Sequence, residues 1–258
     1  MAKTHLVIPD PHSKPGENND RAEWVGHLIR DLRPDVVVCL GDTADMESLC
    51  TYDKGKKSFQ GRTYSADIAA HADFQDRLWS TVRQGKRKMP RRVTLIGNHE
   101  ERIARAIELQ PELEGVISYD DLELGRYYND IVPYEGSTPG CIEIDGVTYA
   151  HYLVSGISGR ALSGEHPAYS LLSKKFASCV VGHSHLLDYS VRTRADGSKI
   201  MGLVAGCYQE HVPAYAGGSA ELWWRGVCVL RSVESGCYDL QTIGLDRLKK
   251  EYGHAVRR

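Results

Sequence analysis

The sequence predicts a fold of the α/β class in its α+β form, and three observations carry that expectation. Leu6-Val7-Ile8 and Val36 to Leu40 are short, continuous apolar runs, the pattern of strands buried on both faces. Between them Asp20-x-x-Glu23 reads as a capping box, and Trp24, Leu28 and Leu32 recur at helical spacing until Arg33-Pro34 stops the helix, completing a β-α-β unit. From Ile142 onward strand patterns dominate.

Val93 to Ile96 is a third buried strand. Ile103, Ala104 and Ile107 mark the helix after it, which must end by Pro111 because proline lacks the N–H and its ring clashes with the preceding turn. Between the second and third strands lies an insertion over about 46–90. It holds a polar stretch at Asp53-Lys54-Gly55-Lys56-Lys57, then a helix from Ser65 to Arg83 with Ile68, Ala72, Leu78, Trp79 and Val82 as its apolar face. Later strands are expected at Val147 to Tyr152, Cys179 to Val181, Tyr189 to Arg194, Ile200 to Ala205, Leu222 to Val233 and Tyr238 to Ile243. Asp196-Gly197 reads as a hairpin turn, and Leu245 to Tyr252 as a closing helix. With no internal repeat and no low-complexity linker, residues 1–258 read as a single domain carrying the helical insertion.

A composition of 41% hydrophobic and 26% charged residues with a net charge of −2 excludes a disordered or collagen-like chain. It leaves nucleic acid open as a partner without requiring one, since a non-specific binder is usually strongly basic. The first apolar run is far too short for a signal-peptide core or a membrane span, so a cytoplasmic location without membrane association is expected. Cys39, Cys50, Cys141, Cys179, Cys207, Cys228 and Cys237 form no C-x-x-C pair and are odd in number, so they read as reduced, mostly buried thiols and not as metal ligands.

Chemistry-bearing residues fall into short clusters just after apolar runs, where an α/β sheet places its ligands. They are Asp10-Pro11-His12, Gly41-Asp42-Thr43-Ala44-Asp45, Gly97-Asn98-His99-Glu100, His151, and Gly182-His183-Ser184-His185. Singly they are weak signals. A lone D-x-H is equally a loop carboxylate near a surface histidine, and His151 alone would be a satisfied core histidine. G-H-x-H says more, because two imidazoles two residues apart share one face of an extended segment.

Together and in this order, the blocks D-x-H, G-D-x-x-D, G-N-H-E, a lone His and G-H-x-H resemble the calcineurin-like metallophosphoesterase family, and the whole chain looks like its phage-encoded members. The resemblance implies a four-layer sandwich of two mixed β-sheets flanked by helices, with metals at one edge. It implies that Asp10, His12, Asp42 and His185 bind one divalent cation and that Asp42, Asn98, His151 and His183 bind the other, Asp42 bridging. Manganese is expected first, with iron, zinc, cobalt or nickel as alternatives, because nitrogen and oxygen donors without thiolate suit these ions. The pair would generate a metal-bound hydroxide for attack on phosphorus. His99 would serve the leaving oxygen as general acid or hydrogen-bond donor, and Asp45 would orient it; alternatively, Asp45 is a helix N-cap.

The implied activity is a metal-dependent phosphodiesterase on small phosphodiesters or nucleotide-type substrates. A repair-type DNA or RNA nuclease, a phosphomonoesterase or protein phosphatase, and a catalytically silent metal-binding scaffold are the alternatives. A phage origin would place it in the host cytoplasm, and oligomerisation is left open. Two positions depart from the family pattern: Met46 follows G-D-x-x-D where Arg is frequent, and Tyr152 follows His151 where Gly is frequent. The segment Ser155-Gly156-Ile157-Ser158-Gly159-Arg160 is expected to be a loop over the site, with Asn98, Arg160 and His166 as substrate contacts. The basic run Lys86, Arg87, Lys88, Arg91 and Arg92 reads as solvated, and Trp223-Trp224 as sheet packing.

Overall fold

The computed structural model describes residues 2–156 and 159–256, with backbone alone for Ala214 and Tyr215. In chain order, β1 (Lys3–Ile8), α1 (Asp20–Leu32), β2 (Val36–Cys39), α2 (Tyr64–Arg83), β3 (Arg91–Leu95), α3 (Arg102–Leu109), α4 (Leu124–Tyr127) and β4 (Asp130–Val132) come first. A two-residue ribbon, β5 (Tyr134–Glu135) with β6 (Thr138–Pro139), leads to β7 (Cys141–Ile144) and β8 (Val147–Ala150). A second ribbon, β9 (Val154–Ser155) with β10 (Arg160–Ala161), precedes α5 (Pro167–Lys175) and β11 (Ser178–Val181). Then come β12 (Leu187–Thr193), β13 (Lys199–Ala205), β14 (Gly226–Glu234), β15 (Cys237–Gly244) and α6 (Leu245–Tyr252).

Two mixed sheets result, in the orders β15-β14-β1-β2-β3-β4 and β12-β13-β11-β8-β7. In the first, β1, β2, β3 and β4 run parallel and β14 and β15 complete the edge antiparallel. In the second, β8, β11 and β13 run parallel between antiparallel edges. Strand alternation divides the apolar side chains between two layers. Val7, Val38, Leu40, Val93 and Leu95 meet Tyr149, Val180 and Leu203 between the sheets. Leu6, Ile8, Val37 and Cys39 face the other way, onto Trp24 and Leu28 of α1 and Phe74 and Trp79 of α2. Each such burial contributes roughly 1.5–3 kcal/mol before conformational entropy is charged against it. With α5 outside the second sheet, the layers are helix, sheet, sheet, helix.

Several elements differ from the sequence reading. The Asp20-x-x-Glu23 capping box does not form: Asn19 precedes the helix without a side-chain cap. Asp20 and Glu23 instead bind Arg77 of α2, each at 2.8 Å, so their charges join two helices. Helix α5 was not anticipated; its Pro167-Ala168-Tyr169 start and Phe176 in the left-handed region bound a nine-residue crossover that carries the chain from β8 to the parallel β11. The strand expected from Leu222 starts only at Gly226, because 3₁₀ turns occupy 214–222. Asp196-Gly197 does turn a hairpin, with Gly197 at φ 85° and the Asp196 carboxylate accepting from the Ser198 N–H at 2.8 Å. All seven cysteines are free, five of them buried. Among the described residues, no helix is long and apolar enough to cross a membrane.

The α2 face toward the core is more polar than expected, burying Asp67, His71 and Gln75 beside Phe74, Leu78 and Trp79, while Ile68 and Ala72 are only partly buried. Burial pushes His71 down to about 4. The unfolded chain, with His71 near 6.5, binds the proton that the folded chain refuses, so stability falls as pH drops from about 6.5 to about 4. At pH 4.5 this one group should cost on the order of 2–3 kcal/mol relative to pH 7.5. Urea unfolding of chelated protein at both pH values should show that difference shrinking in His71→Asn; an unchanged pH dependence would show that His71 is not its source.

Candidate metal centre

Both sheets turn the carboxyl ends of their parallel strands to the same edge. The loop after β1 brings Asp10 and His12, that after β2 brings Asp42 and Asp45, that after β3 brings Asn98, His99 and Glu100, and those after β8 and β11 bring His151, His183 and His185. The backbone there is unusual. Asp10, His12, Asp42, Met46, His183 and His185 all have positive φ, between 39° and 68°, a region that costs non-glycine residues of order 1–3 kcal/mol and clusters at functional sites. The motif glycines have a spatial reason. A Cβ on Gly97 would strike the Asp42 carboxylate and backbone N, and one on Gly182 would strike the Asp10 carboxylate.

Three sets of ligand atoms lie within 4.8 Å of one another: Asp10, His12 and His185; Asp42, His151 and His183; and His12, Asp42 and His99. Asp42 Oδ2 lies between the sets, 3.7 Å from His12 Nε2, 3.4 Å from His151 Nε2 and 3.9 Å from His99 Nε2. Asn98 Oδ1 is 2.9 Å from His151 Nε2, and the backbone N–H of His183 donates to Asp10 Oδ2 at 2.5 Å. All seven sequence-derived ligands, together with His99 and Asp45, therefore come together.

The donor chemistry fits cations. His151 Nδ1 faces the Leu40 carbonyl at 2.9 Å and so carries the ring proton, leaving an Nε2 lone pair aimed at Asn98 Oδ1 and Asp42 Oδ2. His12 Nδ1 faces Asp45 Oδ1 at 3.1 Å, which directs its Nε2 lone pair at His185 Nε2, 3.2 Å away. Asp10 Oδ1 is buried with no hydrogen-bond donor. Acceptors converging in a dry site repel unless a cation stands among them.

Charge states agree. Burial, then the positive fields of neighbouring imidazoles, pushes His185 down to about 2 and His183 down to about 4, and burial lowers His151, so these rings are neutral donors. Burial opposes the Asp42 anion, yet its histidine surroundings and the His99 backbone N–H hold it far below the usual carboxylate range. Burial and the Asp42 charge raise Asp10, the response expected of two carboxylates sharing one space. His99 Nδ1 meets Asp45 Oδ1 at 2.8 Å. Burial lowers the proton affinity of His99, but Asp42 and the Asp45 bond outweigh it and raise the net value, with Arg102 opposing.

Several contributors escaped the sequence reading. Glu100 accepts from the Asp42 and Gly97 N–H groups through Oε2 and from the Ala44 N–H and Thr43 hydroxyl through Oε1, all at 2.9–3.0 Å, tying two ligand loops together. Buried Arg21 donates to the carbonyls of Pro11, Asn18 and Tyr208, fixing the loop of His12. Trp223, in a loop and not a strand, sets its ring edge-on to His185 at 4.4 Å. The Tyr152 ring lies 4.7 Å from that of His183. Met46 is fully buried in the core beneath α1 and α2. Near it Arg102 donates to the carbonyls of Asp45 (2.8 Å) and Met46 (3.3 Å), with Nη2 3.2 Å from His99 Nε2. Arg160 is exposed on β10 and His166 is exposed just before α5. In the expected loop over the site, Ile157 and Ser158 lie outside the described residues.

Residues 4–225 match the family model described as calcineurin-like phosphoesterase. A search of curated proteins returns no match. Solved structures similar to the chain include TT1561 of Thermus thermophilus, at 11% identity over 95% of this chain and 100% of that one with a TM-score of 0.39. Another is Yfce, a phosphoesterase from E. coli, at 14% identity over 94% and 99% with a TM-score of 0.41.

Glu100→Gln keeps the shape of the clamp but turns an NH₂ toward two of its four donors. Metal affinity should fall about 10- to 100-fold, the usual effect of losing a partner behind the ligands, with the fold retained. Metal titration followed by elemental analysis checks this; unchanged affinity would show that the loops hold their positions without the carboxylate.

Proposed function

The chain belongs to the calcineurin-like phosphoesterase family, whose activity is metal-dependent hydrolysis of phosphate esters, and on that premise we propose a phosphodiesterase acting on nucleotide-type diesters. The observation that carries the finer reading is a pair of grooves meeting at Asn98. One, of about 390 Å³, is lined by Tyr134, Ser137 and Tyr152; the other, of about 190 Å³, by Leu49, Tyr52 and Leu109, with Arg105 in both. A diester has two substituents to house, and a monoester one. Tyr134 and Tyr152 on one side and the largely exposed Tyr52 on the other suit flat nucleoside groups.

Asp10, His12, Asp42 and His185 would hold one divalent cation, and Asp42, Asn98, His151 and His183 the other, manganese being the first choice. When bound, such a pair activates water and clamps phosphate oxygens. The protein's own work is positional and protonic. Asp45 fixes both His12 and His99 through their Nδ1 atoms, which leaves His99 Nε2, between Arg102 and Asp42, as the atom that would deliver a proton or hydrogen bond to the leaving oxygen. A silent scaffold would need neither this second imidazole nor its carboxylate partner.

A monoesterase is the second reading, and Arg102 favours it. A monoester nears a dianion at neutral pH and gains from an added guanidinium. Met46, where the family frequently has Arg, is buried away from substrate, but Arg102 stands beside His99 and supplies that charge. Matched aryl diester and monoester substrates in manganese decide between them: kcat/KM should favour the diester, and Arg102→Met should lower monoester turnover further. Wild-type preference for the monoester would reject the proposal.

Asp42→Ala should abolish both metal binding and turnover. His99→Ala should keep its metals and lose about 10²- to 10⁴-fold in kcat, most with poor leaving groups. Because His99 Nε2 also lies near His12 and Asp42, elemental analysis of His99→Ala is the decisive check, and loss of metal would make His99 a ligand.

A further inference from the structure

The basic run between α2 and β3 is largely exposed, as expected, and part of it also lines a cleft. Arg87, Lys88, Arg91 and Arg92 join Arg30 and Arg33 around a cleft of about 970 Å³, larger than either groove at Asn98. It opens at the amino ends of β2 and β3, and the metal loops leave their carboxyl ends. A four-residue strand separates the two sites by roughly 13 Å or more.

Ordinary structural roles absorb some of these cations. Arg30 sits in the last turn of α1, where a cation complements the helix dipole, and Arg91 pairs with Asp130 at 2.8 Å. Among the described residues, Arg33, Arg87, Lys88 and Arg92 have no carboxylate within ion-pair distance. The cleft's own acids, Asp31 and Asp35, are engaged by the Tyr252 hydroxyl and the Thr4 N–H. Arg92 is half-buried over the Trp79 ring at 5.7 Å, held by Asn129 Oδ1. In a chain of net charge −2, unpaired like charges gathered from separate segments repel one another unless an anion joins them. Met89, partly buried, and the small accessible parts of Ile29 and Val82 form an apolar floor, and the volume lies within the roughly 300–1,000 Å³ of small-molecule sites.

We propose that this cleft is a second, non-catalytic site that binds a nucleoside polyphosphate, its phosphates on Arg33, Arg87, Lys88 and Arg92 and its ring system against Ile29, Val82 and Met89. Guanidinium forks suit phosphate oxygens. Several separated cations fit a chain of phosphates better than a single one, and a concave site built from three segments fits a compact ligand better than an extended strand. The proposal goes beyond the esterase reading and does not depend on it.

Calorimetric titration with ADP of the metal-loaded wild type and Arg87→Glu/Lys88→Glu, and of the metal-free Asp42→Ala, tests it, alongside a 20-nucleotide single-stranded DNA. The expected result is one ADP site that weakens at least tenfold in the double variant, persists in Asp42→Ala, and binds ADP more tightly than DNA. The double variant should keep the wild-type melting temperature and hydrolysis of an aryl phosphodiester. ADP binding lost only in Asp42→Ala would place the nucleotide at the metal centre, and tighter DNA binding through the same charges would make the cleft a strand-binding surface. Either result, or no binding, overturns the proposal.

Discussion

Buried acceptors facing one another are the interaction on which the rest of this structure depends. The Asp10 and Asp42 carboxylates, the Asn98 carbonyl oxygen and the Nε2 atoms of His12, His151 and His185 converge at 2.9–3.7 Å in a site almost closed to water. Such an assembly is costly without cations and strongly favourable with them. The fold's task is to hold it together in either condition.

It does so by stiffness outside the ligands. The two sheets share an apolar layer, so the carboxyl ends of β1, β2, β3, β8 and β11 are fixed relative to one another. Left-handed backbone at the ligands is strained on its own. It persists because Glu100 satisfies four donors from two loops, Arg21 holds three carbonyls, and glycines at 97 and 182 leave the carboxylates their space. At the far end of β1, buried His5 bridges Tyr149 at 2.7 Å and Asp145 at 3.0 Å, tying the same two sheets. Local strain at the site is thus balanced by packing and hydrogen bonding behind it.

The two ends of the parallel strands carry opposite electrostatic problems. At the carboxyl ends, anions and lone pairs gather and call for cations. At the amino ends, the cations of the cleft gather and call for an anion. The net charge of −2 conceals both, since it sums over them.

The cluster at the sheet edge was legible in the sequence because Asp10, His12, Asp42, Asn98, His151, His183 and His185 each follow a short apolar run and are residue types that divalent cations accept. The main strands were legible too, since continuous apolar runs buried on both faces leave an unambiguous trace. What failed was whatever depended on a distant partner. Asp20 and Glu23 read as a cap until Arg77 claimed them, and Trp223 read as strand until its ring was seen against His185. Met46 read only as a departure from the family's frequent Arg; the fold buries it and places Arg102, from another element, next to His99. The sequence by itself determined which donor-bearing residues gather at the sheet edge, because each is placed by the apolar run before it. Only the tertiary structure decided which charges face which, because those pairings join residues that no local pattern connects.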